Sequence, residues 1–294
     1  MNTTASIDTG DDTGLRIGND GAGNLVAVWV SDDPAAGLLG DDLDLTVATS
    51  SDAGATWSDP APLNSDASTD TADDSNVEIA TDGNGNWVVV WHAEGKGSST
   101  STDIRVANSA DNGATWSDPR PLVHARENIN RAGADSDPHI AADGEGNFII
   151  VWASTRDIDG DFEPGAEEDD PDVPIVTSDT DVFFATSGDG GATWSEAAPL
   201  NSDHISDGSA DDDPSVATDL AGVWMVVWVR GGQLSFVRSE TGGAIWTAPE
   251  EIPGAAGTGP MLLNDHAREA TETTAWYAVW QGAGISVSRY LESD

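Results

Sequence analysis

Short apolar runs ending in tryptophan punctuate this chain at long intervals. Gly23-Asn24-Leu25-Val26-Ala27-Val28-Trp29 recurs as Gly85-Asn86-Trp87-Val88-Val89-Val90-Trp91 and as Gly146-Asn147-Phe148-Ile149-Ile150-Val151-Trp152. Further copies are Gly222-Val223-Trp224-Met225-Val226-Val227-Trp228 and Thr274-Ala275-Trp276-Tyr277-Ala278-Val279-Trp280. The final tryptophans fall 62, 61, 76 and 52 residues apart. Runs this short, valine-rich and bounded by Gly, Asn and Asp, predict buried β-strands. A shorter segment precedes each run, as in Pro138-His139-Ile140-Ala141 or Pro214-Ser215-Val216-Ala217, and a turn such as Asp82-Gly83-Asn84-Gly85 joins the two. An alternating segment follows, as in Asp103-Ile104-Arg105-Val106-Ala107-Asn108. A proline-bearing stretch, Trp57-Ser58-Asp59-Pro60-Ala61-Pro62-Leu63, closes the unit and suits an edge strand, where a missing N–H breaks no ladder.

Between the third and fourth predicted strands lies a recurrent corner. Ser50 to Trp57, Ser109 to Trp116 and Ser187 to Trp194 share the pattern Ser-x-Asp-x-Gly-x-Thr-Trp, and Ser239 to Trp246 carries Thr241 for the Asp and Ile245 for the Thr. The carboxylates of Asp52, Asp111 and Asp189 are expected to accept hydrogen bonds within the turn. The glycine takes positive φ, and Trp57, Trp116, Trp194 and Trp246 anchor the corners. Four-stranded units with this period predict an all-β fold, a β-propeller of antiparallel blades. Five units span roughly 13–63, 76–122, 137–200, 213–253 and 259–294, and the last has only three strands, ending with Ile285 to Arg289. The expected architecture is one domain over 1–294, five-bladed with an incomplete last blade; a six-bladed ring and a piece of a longer array are the alternatives. The repeat absorbs all 12 tryptophans, leaving none as a sugar-stacking platform.

Charge adds a second theme. There are 53 acidic residues against 11 basic ones, a net charge of −42, and Lys96 is the only lysine. A solvated halophile-like surface and divalent-cation binding are the two readings. Both exclude nucleic acid, which needs basic patches. No stretch is long and apolar enough for membrane insertion, and Met1 is followed by polar residues. The expected location is extracellular or at the cell surface, with a signal outside this sequence; the cytoplasm of a halophile is the alternative. With no cysteine, disulfides and thiolate metal sites are excluded.

The acidic residues are placed in the connections leading into the first strand of each unit, four apart. Asp66, Asp70 and Asp74 precede the second unit, Asp203, Asp207 and Asp211 the fourth, and Asp8 and Asp12 the first. The third has Glu127, Arg131 and Asp135 instead, and the fifth has Pro253-Gly254-Ala255-Ala256-Gly257. An insertion in the third unit contains Asp157-Ile158-Asp159-Gly160-Asp161, with oxygen ligands at alternate positions around a glycine. Asp157, Asp159 and Asp161, with Asp70, Asp74, Asp207 and Asp211, are the candidate metal ligands, calcium is the candidate ion, and no cofactor is required.

The corners and their blade context resemble the sialidase (neuraminidase) superfamily of BNR/Asp-box propellers across nearly the whole chain. The resemblance implies that the corners are structural and lie away from the active face. Leu15-Arg16-Ile17-Gly18 resembles the family's Phe-Arg-Ile-Pro segment, which implies Arg16 as the first carboxylate-gripping arginine. It likewise implies Asp41 or Asp42 as acid/base and Tyr290, beside Glu292, as nucleophile. Arg230, Arg238 and Arg268 are the remaining arginines weighed for the triad, and none sits in a family motif. An intact scaffold with incomplete catalytic equipment leads to a glycan- or protein-binding module, assisted by calcium. The alternatives are an active glycoside hydrolase of exo-sialidase type and a structural unit partnered by neighbouring blades.

Overall fold

The computed structural model describes residues 10–32, 39, 42–69, 71–94, 102–122, 134–155, 180–201, 208–264 and 275–291; for 290 and 291 it describes the backbone only. Every regular element among them is a strand. The first blade comprises β1 (Asp12–Asn19), β2 (Leu25–Ser31), β3 (Asp44–Ser50) and β4 (Ala61–Pro62), hydrogen-bonded in that order. The second repeats it with β5 (Asp73–Thr81), β6 (Trp87–Glu94), β7 (Thr102–Ser109) and β8 (Arg120–Pro121). The third has β9 (Asp135–Ala142), β10 (Phe148–Ser154), β11 (Asp181–Ser187) and β12 (Ala198–Pro199). The fourth has β13 (Asp211–Thr218), β14 (Trp224–Arg230), β15 (Gln233–Ser239) and β16 (Glu250–Ala256). The last has three strands, β17 (Thr258–Asn264), β18 (Ala275–Gln281) and β19 (Ile285–Leu291). All pairs are antiparallel, and the proline-bearing fourth strands lie at sheet edges as expected. One connection differs from the sequence reading: Pro253 to Ala256 continue β16, so the glycine-rich stretch is largely strand and only Gly257 separates it from β17.

The core lies between blades. Alternation in the second strand sends Val26, Val28 and Val30 forward onto Trp87, Val89 and Trp91 of the next blade. Val88 and Val90 then meet Phe148, Ile150 and Trp152, and Ile149 and Val151 meet Trp224, Val226 and Trp228. Met225, Val227 and Val229 meet Trp276, Ala278 and Trp280. The second-strand tryptophans therefore all face the preceding blade. In blade one that backward face carries Ala27, Trp29 and Ala48, with Trp57 folded over them. The inner strands β1, β5, β9, β13 and β17 lie side by side in that sequence, and no comparable packing joins β17 to β1 among the described residues. Leu15 and Ile17 on the first blade, and Met261, Leu263, Ile285 and Val287 on the last, are exposed.

Each inner strand also carries the same irregularity. Its pairing slips at Thr13/Arg16, Ser75/Glu78, Asp212/Ser215 and Thr258/Met261, and opposite Val151/Ala153 in the third blade. At each slip one residue is left-handed: Gly14, Asn76, Asp137, Asp213 and Gly259, with φ of 65, 49, 52, 53 and 56°. These are β-bulges, which bend the strand and re-aim the neighbouring side chains. Glycine, asparagine and aspartate are the residues that tolerate this conformation at least cost.

Candidate functional site on the acidic face

The two faces of the propeller differ in what their carboxylates do. On one face the first three corners are tied to the turn between the first two strands of their blades, by Ala53 N to Gly23 O (2.9 Å), Asn112 N to Gly85 O (3.1 Å) and Gly190 N to Gly146 O (3.0 Å). Within the corners the Asp111 carboxylate accepts from Thr115 N and Ser109 Oγ at 2.8 Å and from Thr115 Oγ1 at 2.7 Å; Asp52 and Asp189 repeat this with Thr56 and Ser50, and with Thr193 and Ser187. The threonine bonds hold all three carboxyls below the usual aspartate value. In the fourth corner Thr241 keeps the bond from Ile245 N, at 2.8 Å, through its hydroxyl. The corner glycines meet two demands. Gly243 has φ of 85°, and a Cβ there would lie 2.6 Å from Ile149 Cδ1 of the preceding blade. The four corner tryptophans are half-buried.

A second structural aspartate escaped the sequence reading. Asp20, Asp82 and Asp143 open the first turns and accept from the Asn24, Asn86 and Asn147 amides at 2.5, 2.6 and 2.6 Å. The signal was present, as Asp-x-x-x-Asn in three units, but resembled ordinary turn composition.

The opposite face is different. Asp12, Asp74, Asp135 and Asp211 stand in one register, each opposite the second residue after the second-strand tryptophan: Ser31, Ala93, Ser154 and Arg230. Asp44 and Asp181 begin their third strands, and Asp103 is the second residue of its own, opposite the same residues Ser31, Ser154 and Ala93. Asp44, Asp74, Asp135, Asp181 and Asp211 are buried. Ser154 Oγ donates to Asp135 at 2.6 Å, and Arg230 clamps Asp211 through Nε (2.9 Å) and Nη2 (3.0 Å). Beside them Leu43 links Asp73 and Asp74 through its backbone. Asp42 is only 5% exposed, and its Oδ2 has no hydrogen-bond partner among the described residues.

Toward the axis the bulges add Asn76, Asp137 and Asp213. Asn76 Nδ2 donates to Asp137 at 3.4 Å, and Gly259 N donates to Asp213 at 3.0 Å, so the contacts cross from blade to blade. Burial, then the charges of Asp213 and Asp137, push the Asp212 carboxyl above its usual value. Two residues further along each strand comes a second belt: Arg16, Glu78, His139, Ser215 and Met261, opposite Val28, Val90, Val151, Val227 and Val279. Arg16 Nε pairs with Glu78 at 2.8 Å, Val216 N donates to His139 Nδ1 at 3.3 Å, and Leu262 N donates to Ser215 Oγ at 3.1 Å.

The carboxylates of this arrangement can accept hydrogen bonds from hydroxyl or ammonium groups. Among the described residues it offers no ready grip for an anion. Among the described residues no three carboxylate or imidazole side chains converge as a metal site. Arg16 is engaged by Glu78 and Arg230 by Asp211. Arg238 lies at the corner side, paired with Glu240 at 2.6 Å, and Arg289 covers the Tyr277 ring at 5.7 Å. Asp41, Asp70, Asp157, Asp159, Asp161, Asp207 and Arg268 lie outside the described residues. Tyr290 pairs through its backbone with Trp276, and its side chain is outside the description.

His139 gives this belt a measurable signature. Burial pushes its pKa down from 6.5, and Arg16 adds to that, against the pull of Glu78. The unfolded chain therefore takes the proton first. Stability is complete above about 6.5 and is lost as the pH falls toward the lower folded value. Denaturant titrations between pH 7.5 and 5 are expected to show a loss in the wild type that is smaller in His139→Gln. Equal losses would remove His139 as the cause.

The comparisons with known proteins agree with this architecture. The sequence matches the BNR repeat-like domain family over residues 23–257. No curated protein matches it. Among solved structures, the Hadza microbial sialidase Hz136 superposes with a TM-score of 0.61 at 16% identity, over 95% of this chain and 56% of that one. A Dyadobacter fermentans protein of unknown function gives 0.62 at 16%, over 97% and 79%. The K499G mutant of NanB sialidase from Streptococcus pneumoniae gives 0.59 at 9%, over 96% and 59%. This chain thus spans little more than half the length of the two sialidases, and at such identities the likeness carries the fold alone. Corners, blades and family match together place the chain in the BNR repeat-like domain family, with a sialidase-like propeller fold.

Proposed function

We propose that this propeller is a recognition module that binds a glycan or protein ligand at its acidic mouth. The observation that supports this most is the fate of Arg16 and Arg230, each held by a carboxylate of its own fold. A sialic acid carboxylate approaching Asp137, Asp212 and Asp213 meets like charge, whereas a neutral sugar or a basic protein segment meets acceptors. Calcium is taken up in this reading by Asp157, Asp159 and Asp161. The exposed end faces support neighbouring blades or domains as further partners.

A second reading, a glycoside hydrolase of exo-sialidase type, is favoured by one observation: Asp212, whose carboxyl is pushed above its usual value by burial, shares the mouth with Asp137 and Asp213, and glycoside hydrolysis uses paired carboxyl groups. One experiment separates the two. The protein is applied to glycan and protein arrays with calcium and with chelator, while a fluorogenic sialoside is tested for turnover. The expected result is saturable binding to neutral or basic ligands, weakened about tenfold or more by Asp137→Asn with Asp213→Asn, and no turnover. Turnover abolished by Arg16→Ala would overturn the recognition reading. Equal binding in calcium and chelator would remove calcium from it.

A further inference from the structure

Asn84 and Asn112 are the two asparagines of the chain that precede a glycine. They meet on the corner face, where Asn112 N donates to Gly85 O at 3.1 Å. In an Asn-Gly pair no side chain shields the glycine nitrogen, so it can approach the asparagine side-chain carbonyl. The fold treats the two pairs differently.

Asn112 is shielded by its corner. Gly113 is buried, and its N–H donates to Ser109 Oγ at 2.9 Å. A Cβ on Gly113 would lie 2.8 Å from Val26 Cγ2 and 3.2 Å from Thr49 Cγ2, so this segment is wedged against the first blade. Attack on the Asn112 side chain therefore requires the corner to lift away. Asn84 is exposed, in the turn joining β5 and β6. Among the described residues the Gly85 N–H has no acceptor, and the nearest heavy atom to a Cβ on Gly85 would be 3.7 Å away. The Asn84 amide is held only by its nitrogen. Nδ2 donates to Asp82 O at 3.1 Å and to Gly144 O, in the turn of the third blade, at 2.8 Å.

We propose that Asn84 is a site of spontaneous modification, converted in the folded protein to aspartate and isoaspartate, and that the conversion cuts the link between the turns of blades two and three. Gly85 N attacks Asn84 Cγ, its proton passes to the departing Nδ2, and ammonia leaves behind a five-membered imide. Water then opens the ring. Cleavage of the new bond to Cγ gives aspartate, and cleavage of the original peptide bond gives isoaspartate. Aspartate sets an acceptor against Gly144 O and Asp82 O, where a donor stood. Isoaspartate also adds a carbon to the main chain of the turn. The site is separate from the acidic mouth and independent of the function assigned to it.

The test incubates the whole folded chain in mildly alkaline buffer and maps its peptides by mass spectrometry, with the chain unfolded in urea as reference. In the folded chain Asn84 is expected to convert about tenfold or more faster than Asn112, because only Asn112 needs local opening. In urea the two rates are expected to be comparable. Equal rates in the folded chain, or conversion of Asn84 only in urea, overturn the proposal. Asn84→Gln, whose longer side chain cannot close the same ring, is expected to stay unconverted at this position. Asn84→Asp is expected to lower the denaturant midpoint below that of the wild type. An unchanged midpoint would overturn the loss of the link between turns.

Discussion

Trp152→Ala is expected to cost about 3–5 kcal/mol of folding stability, a large share of the ~5–15 kcal/mol typical of a domain. The indole is fully buried between blades two and three and stacks on Phe183, with centroids 6.1 Å apart at 28°. Removing it opens a cavity that rigid sheets on both sides cannot close. Trp57→Ala is the control. That indole is half-buried on the backward face of the first blade, and its loss removes less contact. Denaturant midpoints with unchanged m-values check both. If Trp57→Ala costs as much as Trp152→Ala, the junctions between blades are not the main source of stability.

The second large effect concerns a charge. Arg230→Ala leaves the Asp211 carboxylate, 0% exposed, without its bidentate clamp, at an expected cost of about 3–5 kcal/mol. Arg230 also lies over the Trp228 ring at 5.7 Å, so both packing and charge are lost. Arg230→Ala combined with Asp211→Ala is expected to recover much of the loss, because the carboxylate that lost its clamp is then gone as well. An Arg230→Ala protein as stable as the wild type would mean that the clamp is dispensable and the arginine available for a ligand.

The sequence patterns carried the blades well. Tryptophans at the ends of the second strands, prolines in the edge strands and the Ser-x-Asp-x-Gly-x-Thr-Trp corners each report a local requirement: burial, a missing donor, a tight turn. Such requirements act within one unit, so they leave a trace in every copy. The mouth was less legible because its contacts run between units. Nothing near Arg16 in sequence points to Glu78, 62 positions later, yet that pairing decides what Arg16 can do. The register of Asp12, Asp74, Asp135 and Asp211 was visible, while their different anchors, Ser154 for one and Arg230 for another, were not. The bulge residues were in plain sight as Gly14, Asn76, Asp137, Asp213 and Gly259. Their equivalence emerges only once the strands are aligned by pairing.

Those five positions limit the chemical vocabulary of the axis. A left-handed backbone admits a bare glycine, an amide or a carboxylate at modest cost, and strongly disfavours branched or bulky side chains. The lining can therefore be retuned between empty, neutral and negative by single substitutions. A greasy or cationic side chain at the same points would carry a backbone strain of about 1–2 kcal/mol each. Part of the acidity of this mouth is thus prescribed by backbone shape before any ligand has a say.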